Sequence, residues 1–407
     1  MKIALLGYGK EGQSTEKYFG AKGAEFDIFK DFTFDEIRNK DYSSYDIILR
    51  SPSVPPLENE PKLSSLTRYF FDHCPCKIIG VTATKGKGTT CSFIKSLLDA
   101  HGEKAYLVGN IGNPAIEILD ELTEDSIVVY EMSSFQLWDL EKSPSISVIG
   151  TIEPDHLNVH NGMDDYLNAK ANIGRYQSED DFMIYFKDNA DSVRLAGVSK
   201  AKKIPYPFDI PAEIAESIKL PGKHNKTNAI AAIAAVASFY NISPDEYLQK
   251  FPEVIKQGLS NFRGLPHRLE FIREKDSVKY YDDNFSTNPA STRVAIEAFP
   301  DENVILIVGG RDKTNNADLP EIFETIIAKN VKKIVLIGES GHELAKRYND
   351  PRFEIAESLE EAVGLADSAA KSYDSAVVLM SPSAASFDMF ESVYDRGGKY
   401  QKLVSEI

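Results

Sequence analysis

With 407 residues the chain is too long for one comfortable core, so two or three domains are expected. Its 46 basic against 62 acidic residues leave a net charge of −16, which argues against a nucleic-acid binder, and three cysteines exclude a disulfide framework and fit a reducing compartment. No run of 18 apolar residues could cross a membrane, and the start "MKIALLGYG" lacks the segments of a signal peptide, so a soluble cytoplasmic protein is expected.

Residues 2 to 6 ("KIALL") read as a strand, followed by the glycine turn "GYGKEGQS" and a helix from Thr15 to about Lys22. "EFDIF" and "YDIIL" read as further strands, so the chain opens as an α/β unit on a parallel sheet. The GxGxxG spacing of "GYGKEG" fits a dinucleotide site, with Asp27 or Asp31 as the acid near the end of the second strand. The same turn also suits another phosphate-bearing ligand or a plain tight turn, so a dehydrogenase stays open at this point. "SPSVPPLENEP" is a loop, a helix is predicted over Ser64 to Phe71, and a second domain begins near Cys76. Cys74 and Cys76 stand too close for zinc or redox spacing and read as buried or incidental.

The second part runs "KIIGV", "TATKGKGTT" and a helix "CSFIKSLLDAHG", then strands at "DSIVVYEM" and "SISVIG", and later the alanine-rich helix "NKTNAIAAIAAVASFY". Gly80, Gly86 and Lys87 meet the GxxxxGK spacing of a phosphate loop, in which backbone N–H groups face phosphates and a lysine reaches the terminal ones. The hydroxyl expected after the lysine is Gly88, with Thr89 and Thr90 next in line, and the following helix adds a dipole that favours phosphate. ATP binding is the reading of this loop. Glu131 ends one strand and "DHLNVH" follows another, where open parallel sheets bind ligands; Glu131 and His156 suit a hard divalent ion. The HxxxH pair His156 and His160 suggests zinc superficially but has no thiolate nearby, and Asp155 reads equally as an N-cap or a site residue.

After "GLPHR" the third part alternates strands ("VKYYDD", "VILIVGG", "KKIVLIG", "AVVLMS") with helices ("LPEIFETIIAKN", "LEEAVGLADSAA"), again a parallel α/β pattern. Asp283 in "DNFSTN" and Lys313 in "GGRDK" follow strands and are expected to face a crevice, with solvated ion pairs as the alternative.

Nine strings in order resemble the Mur ligase family of ATP-dependent amide-bond-forming enzymes: "GVTATKGKGTT", "GNIGNP", "EMSSFQL", "EPDHLNVHNGMDDYLNAKANI", "LPGKHNKTNAIAAIAAV", "GLPHRLEFI", "DDNFSTNP", "GGRDK" and "SPSAASFDMF". "EMSSFQL" and the last string resemble the D-glutamate-adding branch in particular. The resemblance implies three α/β domains: residues 1–75, Rossmann-like and binding the UDP end of the substrate, 76–265, P-loop ATPase-like, and 266–407, Rossmann-like and binding the amino acid. It implies a monomer using ATP and two magnesium ions, acting on UDP-N-acetylmuramoyl-L-alanine and D-glutamate through an acyl phosphate, with no nucleic-acid or membrane partner. A relative adding L-glutamate or another amino acid, or a non-catalytic nucleotide-binding homologue, is the alternative.

By the same resemblance Thr84, Lys85, Gly86, Lys87, Gly88, Thr89 and Thr90 hold ATP phosphates, with Asn225, Asn228, Arg268 and Asp283 near the rest of the nucleotide. Thr89, Glu131, His156 and Lys170 go to magnesium, Lys170 as a carbamate; Lys87, His156 and Lys170 are the catalytic set. Gly9, Lys10, Glu11 and Asn110 go to the UDP-sugar substrate, which reassigns the GxGxxG turn, and Thr287, Lys313 and Ser386 go to D-glutamate. The chain departs from the family pattern at Ala83, where glycine is usual, at Gly88, where a hydroxyl is usual, and at Phe285, where "DSKATN" has lysine. Lys10 and Glu11 also stand where smaller or apolar residues are common.

Overall fold

Runs of Val, Ile, Leu and Ala, apolar on both faces, build three largely parallel sheets in the computed structural model. It describes all residues except 58–59, 111–112, 158 and 312–316. The first sheet contains β1 (Lys2–Leu6), β2 (Glu25–Phe29), β3 (Ile47–Arg50) and β4 (Leu63–Ser65) in the order β2-β1-β3-β4, every pair parallel. The second contains β5 (Lys77–Thr82), β6 (Ala105–Gly109), β7 (Ile127–Glu131), β8 (Ile146–Ile149), β9 (Phe182–Phe186) and β10 (Lys202–Tyr206), in the parallel order β10-β9-β8-β5-β7-β6.

The third sheet is formed by β11 (Glu270–Lys275), β12 (Val278–Asp282), β13 (Val304–Val308), β14 (Val331–Leu336), β15 (Phe353–Ile355) and β16 (Ala376–Met380). Its order is β11-β12-β16-β13-β14-β15, and only β11 runs antiparallel to its neighbour. Along β13 the two-residue period sends Val304, Leu306 and Val308 into one core and Ile305 and Ile307 into the other. Burying each such side chain stabilises the sheet by about 1.5–3 kcal/mol, which is why the strand is apolar throughout.

The chain divides into two compact units, residues 1–218 with 226–262, and residues 219–225 with 263–407. Within the first unit one apolar core runs from Ile3, Leu5 and Phe19 under the first sheet to Ile78, Val128 and Tyr130 in the second. Tyr130 meets Phe70 edge-on at 5.6 Å between ring centroids. The first two sheets therefore share a core, where the sequence suggests a boundary near Cys76. Among the described residues no helix is long and apolar enough to cross a membrane.

Several elements differ from the sequence reading in their bounds. The first helix is Lys10–Gly20 rather than Thr15 to Lys22, because the turn closes at Gly9, which caps the helix with backbone alone. The phosphate-loop helix starts at Lys87 and ends at Ala100, one turn earlier than its apolar face at Cys91 suggests. Part of the helix expected over Ser64 to Phe71 is strand β4, paired Ile48 to Leu63; the helix itself is Leu66–His73.

Candidate active site

The loop after β5 turns into the helix Lys87–Ala100 through Gly86, whose φ of +82° is left-handed. A Cβ there would lie 2.8 Å from Asn228 Oδ1, so glycine lets the loop approach the helix Lys223–Phe239 closely. Thr84 ties the loop to the segment after β8. Its N–H donates to Thr151 O at 2.7 Å, and its hydroxyl bonds Glu153 O at 3.0 Å and receives Glu153 N–H at 2.9 Å. Tyr166 O–H lies 2.9 Å from the same Oγ1. With two acceptances and one donation that hydroxyl is saturated, which fixes the loop before any ligand arrives. Lys85 pairs with Glu153 at 3.2 Å on the surface.

Two lysines converge on one carbonyl. Lys87 Nζ donates to Ala83 O at 3.0 Å and Thr84 O at 3.1 Å. Lys170, on the helix Met163–Arg175, donates to the same Ala83 O at 3.0 Å and lies 3.1 Å from Thr82 Oγ1. Lys170 is 2% exposed, and its Nζ sits 4.9 Å from the centroid of the Tyr166 ring. Burial drives its pKa well below the usual lysine value, and the neighbouring Lys87 charge pushes the same way. Folding thus favours the neutral amine over the charged one. That is the direction carbamylation requires, because only the free base attacks carbon dioxide.

Glu131 stands buried at the carboxyl end of β7, beside Gly109 at the end of β6. Asn110 holds it twice, Nδ2 donating to Oε1 at 3.2 Å and the backbone N–H donating to Glu131 O at 3.2 Å. His156 is half exposed with a left-handed φ of +55°, its Nε2 3.3 Å from Asp155 Oδ2 and its ring 5.0 Å from Phe135. Its N–H donates to Asp155 Oδ1 at 2.9 Å, so Asp155 closes a local turn and orients the imidazole. His160 is different. It is buried, bonded to Ser134 Oγ at 2.9 Å and Asp165 Oδ2 at 3.3 Å, and stacked on Phe135, and burial lowers its pKa. Both ring nitrogens are taken, so the HxxxH pair does not form a zinc site. Thr89 is half-buried in the first turn of the helix and Thr90 is buried; Thr90 N–H donates to Gly86 O at 2.9 Å. Glu131, His156 and Thr89 carry donor types that suit magnesium, and a carbamate on Lys170 would add an anionic oxygen ligand.

In the first sheet an open cavity of about 460 Å³ lies at the carboxyl ends of the strands, lined by Tyr8, Gly9, Lys30, Asp31, Phe32 and Ser53 among others. That is where an open parallel sheet takes its ligand. Gly9 lines it. Glu11 turns inward, where Gln136 Nε2 donates to Oε1 at 2.9 Å, and burial raises its pKa to about 7. Lys10 opens the helix. Behind this turn Arg50 is fully buried, with Nε donating to Asp139 at 2.7 Å and Nη1 to Val54 O at 2.9 Å.

In the second unit Asn225 is buried and donates to Pro221 O at 2.7 Å. Asp283 is buried instead of facing a crevice, its oxygens accepting Leu269 N–H at 3.1 Å and Ser381 O–H at 2.8 Å. Burial raises its pKa to about 7 despite those bonds. Arg268 is exposed, with its Cζ 5.2 Å from the Phe285 ring centroid. Thr287 is half-buried, and Ser386 is buried with an Oγ that finds no hydrogen-bond partner among the described residues, as a ligand-binding hydroxyl would. Lys313 lies outside the described residues.

Sequence reasoning missed the supports. Tyr166 joins the phosphate loop to the Lys170 helix. Asp282 holds His267 Nδ1 at 2.7 Å. The fully buried Arg396 donates from Nε to Asn284 Oδ1 at 2.7 Å and from Nη2 to Ala384 O at 3.2 Å. The only signal for Tyr166 is its position one helical turn before Lys170; a buried arginine such as Arg396 leaves none.

The Mur ligase middle domain family matches residues 81–217, and the family described as Mur ligase, glutamate ligase domain, matches residues 267–384. The UDP-N-acetylmuramoylalanine–D-glutamate ligase of Acetivibrio thermocellus is 32% identical, covering 100% of this chain and 96% of that protein. The ligase of the same name from Clostridium kluyveri is 33% identical over 90% of this chain and 84% of its own.

This chain belongs to the Mur ligase family.

Solved Mur ligases agree at the level of fold. The UDP-N-acetylmuramate-alanine ligase of Thermotoga maritima superposes with a TM-score of 0.59 at 16% identity, covering 100% of this chain and 99% of that one. The MurF ligase of Thermotoga maritima, solved in complex with ADP, gives 0.57 at 14% identity over 99% and 95%. For a Mur ligase the GxGxxG turn is no sign of a dehydrogenase, and that reading falls.

Proposed function

We propose that this Mur ligase joins D-glutamate to UDP-N-acetylmuramoyl-L-alanine at the expense of ATP, as a step in peptidoglycan precursor synthesis. The observation that carries the reading is the convergence of Lys87 and the buried Lys170 on Ala83 O, at the phosphate-loop end of β5. The end-to-end similarity to relatives named for D-glutamate ligation supports the choice of acceptor. We assign residues 1–75 to the UDP end of the substrate, 76–265 to ATP and 266–407 to the amino acid.

In the first step the L-alanine carboxylate of the substrate attacks the γ-phosphorus of ATP, giving an acyl phosphate and ADP. Thr84 and Thr90 anchor the two ends of the loop, the N–H groups between them cradle the phosphates, and Lys87 leaves its carbonyl partners to follow the charge that builds on the transferring group. Thr89, Glu131, His156 and a carbamate on Lys170 would hold magnesium, which would supply electrostatic stabilisation of the phosphoryl oxygens. Forming the carbamate makes one N–C bond between Lys170 Nζ and carbon dioxide and releases one proton, turning a neutral amine into an anionic ligand. Asn110 orients Glu131 and meets the muramoyl part of the substrate.

In the second step the glutamate α-amine attacks the acyl carbonyl and phosphate leaves. Thr287, Ser386 and Lys313 hold the glutamate carboxylates, while Asn225, Asn228 and Arg268 hold the nucleotide and the buried Asp283 supports the Arg268 segment by accepting Leu269 N–H. Gly9 and the N–H groups of Lys10 and Glu11 face the diphosphate at a helix N-terminus, so the inward turn of the Glu11 carboxyl keeps its charge away from that anion. An acyl phosphate hydrolyses in water, so solvent exclusion is part of the chemistry. Phosphate release from ATP in the presence of substrate, magnesium and D-glutamate tests the reading. Replacing Lys87 by alanine should lower that release by about 100-fold or more, and unchanged turnover would remove Lys87 from the mechanism.

A further inference from the structure

The segment around Arg268 is held rigidly from beneath. His267 and Leu269, on either side of it, have left-handed φ values of +60° and +45°. Arg268 N–H donates to Leu265 O at 3.1 Å, Leu269 N–H to Asp283 Oδ1 at 3.1 Å, and Phe285 N–H to His267 O at 3.1 Å. The His267 ring is fixed by Asp282, and it stacks on Phe285 with 6.1 Å between centroids and 25° between planes. Tyr394 meets both rings edge-on, at 5.2 Å from Phe285 and 6.0 Å from His267. Against this frame the guanidinium of Arg268 makes no hydrogen bond or ion pair among the described residues; the Phe285 ring is the surface it rests on.

We propose that Phe285 is a positioning residue for the nucleotide: its ring holds the Arg268 guanidinium in place, and it does so because the position is aromatic where the family pattern has lysine. The proposal rests on the reading of Arg268 as a nucleotide contact. A long, exposed arginine samples many rotamers, and a ring below the guanidinium narrows them before ATP binds. A cation over an exposed ring shifts an equilibrium by about two- to five-fold. A lysine at 285 would put a second cation beside the first and would lose the stack.

The test uses the full-length chain and two readouts: KM for ATP against kcat in phosphate release, and the Arg268 side-chain Nε–Hε resonance without nucleotide. Phe285→Leu should raise KM for ATP about two- to five-fold with kcat changed less than two-fold. Phe285→Tyr should restore wild-type KM, and Phe285→Lys should weaken ATP at least as much as leucine does. In an Arg268→Ala background, Phe285→Leu should have no further effect. The Arg268 resonance should show a ring-current shift that disappears in Phe285→Leu and returns in Phe285→Tyr. If Arg268→Ala raises KM while Phe285→Leu does not, or if the resonance is unmoved by Phe285→Leu, the positioning role is refuted. If Arg268→Ala leaves KM unchanged while the resonance behaves as expected, the stack stands, but the nucleotide reading fails and the positioning role falls with it.

Discussion

Replacing Lys170 by methionine separates the cost of burying an amine from the chemistry it serves. Methionine has nearly the same length and no charge. In the wild-type chain burial favours the neutral amine, whereas in the unfolded chain a lysine is protonated below about pH 10.4. The unfolded state therefore binds up to one more proton, and stability rises with pH by at most about 1.36 kcal/mol per unit. Between pH 7 and pH 9 that contributes up to about 2.7 kcal/mol to the wild type and nothing to the variant. The hydrogen bonds to Thr82 and Ala83 lost on substitution are worth about 1 kcal/mol each, and Ala83 O keeps Lys87 as a donor. At pH 7 the variant should thus be about as stable as the wild type while its ligase activity falls by about 100-fold or more. The assay is urea denaturation at both pH values in buffer free of carbon dioxide, taken as the difference between the two proteins. Equal pH dependence in wild type and variant would mean that Lys170 folds in its charged form, and the argument for its carbamylation would lose its physical basis.

Other residues give further tests. Gly109 has a φ of +107°, and a Cβ there would lie 2.3 Å from Glu131 O and 2.7 Å from the Tyr130 ring. Gly109→Ala should cost about 2–5 kcal/mol in stability and loosen Glu131, seen as a higher magnesium requirement; a well-folded variant with normal magnesium dependence would contradict this. Asp283 has a raised pKa of about 7, so its protonated form is favoured by folding and that contribution is lost as pH rises from about 4 to about 7. Asp283→Asn should remove the loss, gaining up to about 4 kcal/mol on the wild type across that window; parallel denaturation profiles would show that Asp283 is ionised throughout. His160→Gln should lower stability without altering the response to zinc chelators, and chelator-sensitive activity in the wild type alone would restore the metal reading.

The phosphate loop, Glu131 at a strand end and the parallel α/β pattern were legible because each is written locally: glycines and a lysine at fixed spacing, or an acid closing an apolar run. Strand β4 was not, since Leu63–Ser65 is a strand only through its pairing with β3. The same holds for His160, whose spacing resembles a metal ligand until its partners Ser134 and Asp165 are brought to it by folding. Glu11 reads as a misplaced charge in a diphosphate turn, but its carboxyl faces Gln136, 125 positions away in sequence. Phe285 reads as a lost lysine, and only the fold places an arginine over its ring. Local chemistry is visible in the residues themselves; the partners that modify it come from distant parts of the chain.

The most direct test of the central claim is phosphate release from ATP with magnesium, bicarbonate and UDP-N-acetylmuramoyl-L-alanine, comparing D-glutamate, L-glutamate and no amino acid. Release that requires D-glutamate and yields the dipeptide product is the expected result. Release driven by L-glutamate, or none with any acceptor despite ATP binding, would contradict it.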